Sequence, residues 1–198
     1  MFKMWFDSQL EVKVSSDADY IHDITYNYYG NRLAMCTSGH KISVWDRDES
    51  TGAWQESAVM EAAHGAPIWR LAWAHPEYGQ VLASCSNDGH LQVWKEMRKG
   101  FFEKTARMVD AAKSIPDVKF CPKKHGLKLA APSLDGFCRI YEAQDLLNLS
   151  AWNTEDIHSH RNGDSYGSTC CSWMENADNP TIAVGGCDGT IAVFVRVF

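Results

Sequence analysis

Apolar and polar residues alternate along this chain in short runs separated by turn residues. Leu91-Gln92-Val93-Trp94 and Thr181-Ile182-Ala183-Val184 are examples. A period of two over runs of this length predicts β-strands, because successive side chains of a strand point to opposite faces. No segment carries the 3.6-residue period of a long amphipathic helix, and Glu142 to Leu149 offers at most a turn or two. The longest uninterrupted apolar run, Ile191 to Val195, falls far short of the roughly 20 residues that a membrane-spanning helix needs.

Four segments fall on one template. The second reads Leu71-Ala72-Trp73, a turn from His75 to Gly79, Val81 to Ser86, Asn87-Asp88-Gly89 and Leu91 to Trp94. The third runs from Val118-Lys119-Phe120 through Leu127 to Ala130 and Asp135-Gly136 to Arg139-Ile140-Tyr141, and the fourth from Cys171-Ser172-Trp173 through Asp188-Gly189 to Phe194. In these three the first aromatic precedes an alanine by ten residues (73 to 83, 120 to 130, 173 to 183). The alanine precedes a closing aromatic by eleven (83 to 94, 130 to 141, 183 to 194), and Ala34 to Trp45 keeps that spacing in the first segment, where the preceding turn is two residues shorter. The closing aromatics Trp45, Trp94, Tyr141 and Phe194 follow one another at 49, 47 and 53 residues, and one propeller blade takes about 40 to 50. The Asp-Gly pairs are hairpin signals, since glycine supplies the positive φ such turns require. Three strands per unit are clear, and an outer strand is expected after each closing aromatic, as in Trp54 to Val59 and Thr105 to Val109.

Charge and cysteine content narrow the function classes. Nineteen Lys and Arg against 25 Asp and Glu give −6, which opposes a mainly electrostatic grip on nucleic acid. The densest basic cluster, Lys123-Lys124 with Lys119 and Lys128 nearby, reads as solvated loop charge. Seven cysteines in apolar surroundings fit reduced, buried thiols better than a disulfide framework. With no secretory signal pattern at the N-terminus, a cytosolic or nuclear location is expected.

Trp45-Asp46 closing a strand, with repeated Asp-Gly turns and Ala83-Ser84-Cys85-Ser86, resembles WD40 repeats over residues 20 to 198. The stretch from Trp73-Ala74-His75-Pro76 to Ser86, and the run from Asp117 through Ile140-Tyr141-Glu142-Ala143 to Trp152, are similar to the SEH-like nucleoporins, small WD40 proteins of the Y-shaped nuclear-pore scaffold. The related small WD40 subunit of the outer COPII vesicle coat shares the Trp-Ala-His-Pro motif, but the Ile-Tyr-Glu-Ala segment favours the SEH-like branch. The resemblance implies an all-β WD40 β-propeller, with four blades visible of an expected six-bladed open propeller. The blades fall near 20–62, 63–110, 111–152 and 165–198, after a poorly matched segment 1–19, and the propeller is C-terminally incomplete. A compact four-bladed ring is the alternative.

The same resemblance implies a non-catalytic scaffold subunit of the nuclear pore complex, supporting nucleocytoplasmic transport at the nuclear envelope. Its partners would be a larger α-solenoid nucleoporin that donates a blade, and other Y-complex subunits. Subunits of a coat-like amino-acid-signalling complex at the lysosomal or vacuolar surface are further candidates, with membrane reached only through the complex and no direct nucleic-acid contact. The insertion edge would lie beside the first blade, at Ile21, Ile24 and Tyr26. A WD40 subunit reading a peptide on loops such as 19–23 and 64–68 is the competing interaction class.

No cofactor, metal or catalytic group is expected. His64, Ser84 or Ser86, Asp88 and Trp94 have the residue types of the buried hydrogen-bonded set found in WD40 blades, with Asp135 and Asp188 at the position of Asp88. A Ser-His-Asp triad from the same residues is disfavoured, because an aspartate in a tight turn already has a structural task. His158, His160 and the vicinal Cys170-Cys171 lack zinc-ligand spacing, and strand alternation turns one of these cysteines to the core. Gly185 to Gly189 lacks the following Lys-Ser/Thr of a phosphate loop. Trp5, Trp54, Trp69 and Trp152 lie outside the template and are candidates for contact surfaces, with packing the simpler reading.

Overall fold

Four antiparallel sheets follow one another in chain order in the computed structural model, which describes residues 19–158 and 167–196 apart from the side chains of Asp156 and His158. The first sheet is β1 (Ile21–Tyr26), β2 (Arg32–Thr37), β3 (Ile42–Arg47) and β4 (Trp54–Met60). The second is β5 (Ile68–Trp73), β6 (Val81–Ser86), β7 (Leu91–Arg98) and β8 (Phe101–Met108). The third is β9 (Lys119–Phe120), β10 (Lys128–Pro132), β11 (Phe137–Ala143) and β12 (Trp152–His158). The fourth is β13 (Ser168–Trp173), β14 (Thr181–Gly186) and β15 (Ile191–Val195). Within each sheet the strands lie in sequence order, a plain meander. Successive sheets touch through their inner strands, β1 and β2 against β5, β5 against β9, and β9 and β10 against β13, the arrangement of propeller blades in an open fan.

The constant spacings are the strand register. In every sheet the two aromatics flank one aliphatic residue: Tyr26–Leu33–Trp45, Trp73–Leu82–Trp94, Phe120–Leu129–Tyr141 and Trp173–Ile182–Phe194 are cross-strand neighbours. The shorter first turn leaves this row intact, with Tyr26 as its inner aromatic. The Asp-Gly turns carry φ of +77°, +97° and +79° at Gly89, Gly136 and Gly189. In the β2–β3 turn of the first sheet His40 stands where the second sheet has Gly89 and adopts the same left-handed backbone, at +64°, where glycine would be free of strain.

Both faces of the second and third sheets are buried, each in a different core. Ala34, Cys36, Ile42 and Val44 of the first sheet pack on Leu71, Leu82 and Trp94 of the second. Val81, Ala83, Cys85, Leu91 and Val93, on the other face of the second sheet, pack on Leu129, Ala131 and Tyr141 of the third. Ala130, Cys138 and Ile140 then meet Cys171, Ile182 and Val184. The hydrophobic cores therefore lie between sheets, and alternate residues of one strand serve two of them.

Two local expectations differ from what forms. No helix occupies 142–149; β11 runs to Ala143, and Asp145 and Asn148 accept the amides of Leu147 and Ser150 in tight polar turns that compete with helix formation. The second outer strand begins at Phe101 rather than Thr105, because Gly100 at φ +76° closes a tight hairpin that keeps β7 and β8 paired to their ends. The His75–Gly79 and Pro122–Gly126 turns each hold one turn of 3-10 helix.

Candidate functional site

The second sheet brings His64, Ser84, Asp88 and Trp94 together. His64 Nε2 lies 2.8 Å from Ser84 Oγ, Nδ1 lies 3.2 Å from Asp88 Oδ2, and Trp94 Nε1 donates to Ser84 Oγ at 2.9 Å. Asp88 also accepts the amides of Gly65 and His90, each at 2.9 Å. Burial holds His64 below its usual 6.5, so the ring is neutral near pH 7. Its one N–H faces Asp88, which leaves Nε2 to accept from the Ser84 hydroxyl. Burial also opposes the charge on Asp88, but His64 and the two amides outweigh it and hold the carboxyl well below its usual 3.8.

These distances match a hydrolase triad, yet Ser84 is 0% exposed and its oxygen is occupied by the Trp94 N–H. A nucleophile must reach a substrate carbonyl, whereas this hydroxyl ties the first residue of the unit to its closing aromatic. Ser86 takes a separate part, donating to the carbonyls of Ala66 and Pro67. The set varies from sheet to sheet. Met35 and Ala131 stand where the second sheet has Ser84, and Ala111 stands in the place of His64 in the third, where Arg139 pairs with Asp135 at 2.9 Å instead. Asp188 caps its own turn through Thr190.

The protonation states give a stability prediction. A histidine held low in the fold takes up its proton first in the unfolded chain, so stability should fall as pH drops below about 6.5, with Asp88 contributing a further loss below its usual 3.8. The His64 contribution is limited to about 1.4 kcal/mol per pH unit. Urea unfolding between pH 7.5 and 5 should show this slope, and His64→Gln should flatten it; an unchanged slope would remove His64 from the account.

Two devices join the sheets. Asp23 Oδ2, on β1, accepts the Leu71 amide at 2.9 Å, and Asp117 Oδ2, just before β9, accepts the Cys171 amide at 3.1 Å, each reaching to the next sheet. Trp73 and Trp173 repeat the pattern, donating to the carbonyls of Thr25 and Lys119. Arg32 forms the second device, bidentate to Asp46 at 2.6 and 3.0 Å in its own sheet and 2.5 Å from Glu96 in the second.

The remaining candidates are spread out. All seven cysteines are unpaired. Burial pushes the thiols of Cys36, Cys121 and Cys138 up to about 12 and those of Cys85 and Cys171 well above their usual range, whereas Cys170 and Cys187 are exposed. The His158 side chain and His160 lie outside the described residues, as does Trp5. Trp69 donates to Ser114 Oγ, Trp152 donates to the Leu149 carbonyl and Trp54 packs on Tyr26, so each is engaged in packing. Lys128 is buried against Glu142, while Lys119, Lys123 and Lys124 line a depression at the ends of β1, β5 and β9.

The face of the first sheet turned away from the second is the least satisfied surface. Met35, Thr37, Ser43 and Trp45 point to it, alternating with the core residues Ala34, Cys36, Ile42 and Val44. Thr37 Oγ1, Ser43 Oγ and Trp45 Nε1 are buried with no hydrogen-bond partner among the described residues. Trp45 is left so because Met35 replaces the serine that serves Trp94. On the same face Ile24, opposite Met35, and Tyr26, opposite Leu33, are 53% and 59% exposed, and Ile21 at the head of the strand is 45% exposed. Isolated apolar side chains on a surface are ordinary, but a row of them beside unpaired buried polar atoms marks an incomplete contact.

Comparison with known proteins agrees with this architecture. The family "WD domain, G-beta repeat" matches residues 56–95, which run from β4 through β7. The sequence repeat thus carries the outer strand of one sheet together with three strands of the next. A chain in the crystal structure of the mitotic checkpoint complex superposes with a TM-score of 0.66 at 17% identity, covering 87% of this chain and 46% of that one. The sheets form an open β-propeller, and residues 56–95 carry the pattern of one WD40 repeat. More particularly, over nine-tenths of its length the chain is similar to nucleoporin SEH1: 40% identical to the human protein over 191 residues, 39% to SEH1-A of Xenopus laevis and 41% to SEH1 of Danio rerio. It covers 90% of its own length in these matches and spans about half, 51%, of the relatives.

Proposed function

We propose that this chain is a non-catalytic scaffold subunit of the nuclear pore complex, and that the first sheet is where a larger nucleoporin completes the propeller by donating a strand or blade. The observation that carries this reading is the unsatisfied face of the first sheet. Ile21, Ile24 and Tyr26 offer an apolar stripe, beside which Thr37 Oγ1, Ser43 Oγ and Trp45 Nε1 are buried without a hydrogen-bond partner among the described residues. The contact between the first and second sheets is the template, since there an equivalent face is sealed by the aliphatic residues of a neighbouring sheet. The likeness to nucleoporin SEH1 supplies the setting. In it the four sheets are the first part of a six-bladed open propeller, with blades near 20–62, 63–110, 111–152 and 165–198. Other Y-complex subunits are the further companions, and the nuclear envelope is reached through the assembly. The same face would serve a coat-like amino-acid-signalling complex at the lysosomal or vacuolar surface.

Affinity purification of the tagged endogenous protein, with mass spectrometry of its companions, tests this. Scaffold nucleoporins in stable proportion are the expected result. Companions drawn from ubiquitin-ligase or chromatin complexes, with no pore or coat subunits, would replace the scaffold reading with that of a peptide reader.

A further inference from the structure

The turn between the second and third strands of a sheet carries an aspartate in three cases and lacks it in one. Asp88, Asp135 and Asp188 stand directly before the left-handed glycines Gly89, Gly136 and Gly189. In the first sheet the corresponding pair is Gly39-His40, so that turn has no carboxylate of its own. Where it is present, the carboxylate fastens the turn to the segment that precedes the sheet: Asp88 accepts the Gly65 amide and Asp135 the Ala112 amide, both at 2.9 Å. A sheet without it would leave the entry to its first strand loose.

Asp19 fills the vacant place. It lies just before β1, and its Oδ1 accepts the Gly39 amide at 2.6 Å. A β-carbon at Gly39 would stand 2.6 Å from Asp19 Oδ2 and 3.1 Å from Cγ, and the three atoms nearest to it all belong to that carboxyl group. The Asp19 carboxylate therefore occupies the volume that a side chain like that of Asp88 would take. The bond runs in the opposite sense, because here the preceding segment supplies the acceptor and the turn supplies the donor. Gly39 is not among the glycines at positive φ, so contact with Asp19, rather than backbone conformation, is what excludes a side chain there. Two further bonds run beside the first. The Ser38 amide donates to the Tyr20 carbonyl at 2.9 Å, and Ser38 Oγ lies 2.8 Å from His22 Nε2. The pairing of β1 with β2 shifts register between Ile21 and Asp23, so the head of the strand depends on this turn rather than on an unbroken ladder.

We propose that Asp19 is a positioning residue, a carboxylate clasp brought to the β2–β3 turn from outside it, which fixes residues 19–22 on the first sheet and so presets the stripe of Ile21, Ile24 and Tyr26 for its partner. A turn aspartate is part of the hairpin it caps and stays with it. Asp19 meets the turn only across hydrogen bonds, so it can be released while the sheet behind it stays paired. A strand held in place beforehand has less to lose in ordering when a partner docks. The link to docking rests on the scaffold reading above, whereas the clasp itself does not.

The test is a double-mutant cycle in the full 198-residue chain, read by hydrogen exchange of the amides at positions 38 and 39. Asp19→Ala should speed their exchange by about five- to tenfold, the effect of losing one net hydrogen bond, and leave β6 and β7 as protected as before. Gly39→Ala should do the same by displacing the carboxylate. Added to Asp19→Ala it should change little, because the group it collides with is gone. Asp19→Asn, which keeps an acceptor oxygen, should recover much of the protection. Unchanged exchange in Asp19→Ala, or effects of the two alanine variants that simply add, would overturn the clasp. Titration with the captured scaffold partner reads the second half: Asp19→Ala should weaken binding severalfold and Asp19→Asn restore it, and wild-type affinity in a chain whose exchange is accelerated would overturn the positioning role. Absence of capture by the wild-type chain is failure of the scaffold reading, and the exchange cycle then decides the clasp by itself.

Discussion

Arg32→Ala is expected to lower the stability of the folded chain by about 3 to 5 kcal/mol, the usual cost of removing one partner from a buried ion pair. Arg32 is 10% exposed at its side chain, Glu96 9% and Asp46 24%, so neither carboxylate left behind could recover full hydration. Burial alone would lower the guanidinium's pKa, but hydrogen bonds and charge from Asp46 and Glu96 more than reverse that and raise it above its usual value. Geometry adds to the cost: Nε and Nη2 grip Asp46 while Nη1 reaches Glu96, which also accepts the Gly100 amide closing the β7–β8 hairpin. Lysine cannot form that fork, so Arg32→Lys should restore only part of the loss. Urea unfolding followed by circular dichroism measures both. A loss below about 1 kcal/mol for the alanine variant would reduce the cluster to an ordinary surface pair.

The second large effect concerns association. On the proposed scaffold reading, Ile24→Lys combined with Tyr26→Lys should weaken capture of a larger nucleoporin by at least about 100-fold, since two apolar anchors are lost and two charges would be buried unpaired. Both side chains are more than half exposed, so the chain itself should stay folded and lose only the Tyr26–Trp54 ring contact. Leu147→Lys, at a loop position 89% exposed, is the control and should leave capture unchanged. Titration calorimetry with the purified partner provides the readout. Wild-type affinity in the double variant would move the partner away from the first sheet.

Much of the fold was legible because spacing translates directly into register. The ten- and eleven-residue intervals appear in the structure as rows in which two aromatics flank one aliphatic residue, and the Asp-Gly pairs as left-handed turns. The His64 set was legible for the same reason, as its members sit at fixed places in the repeat. What escaped notice depended on contacts outside one repeat unit. Arg32, Asp46 and Glu96 belong to different strands of two sheets, and no periodicity links an arginine at one row to a glutamate in the next unit. The Asp23 and Asp117 bridges did leave a signal, an aspartate three residues before the first aromatic in two of the four units. The unpaired atoms of Thr37, Ser43 and Trp45 could not be seen, because their state depends on what covers the face of the first sheet turned away from the second.

Because every hydrophobic core lies between two sheets, no sheet is a folding unit by itself. The smallest cooperative piece is a neighbouring pair, and stability accumulates along the chain as a sum of nearest-neighbour couplings. The second sheet is held from both sides and the first from one among the described residues, so opening propagates inward from a terminal sheet. A chain built this way can gain or lose a unit at an end without redesigning its middle, and a partner that binds at an end also suppresses fraying there.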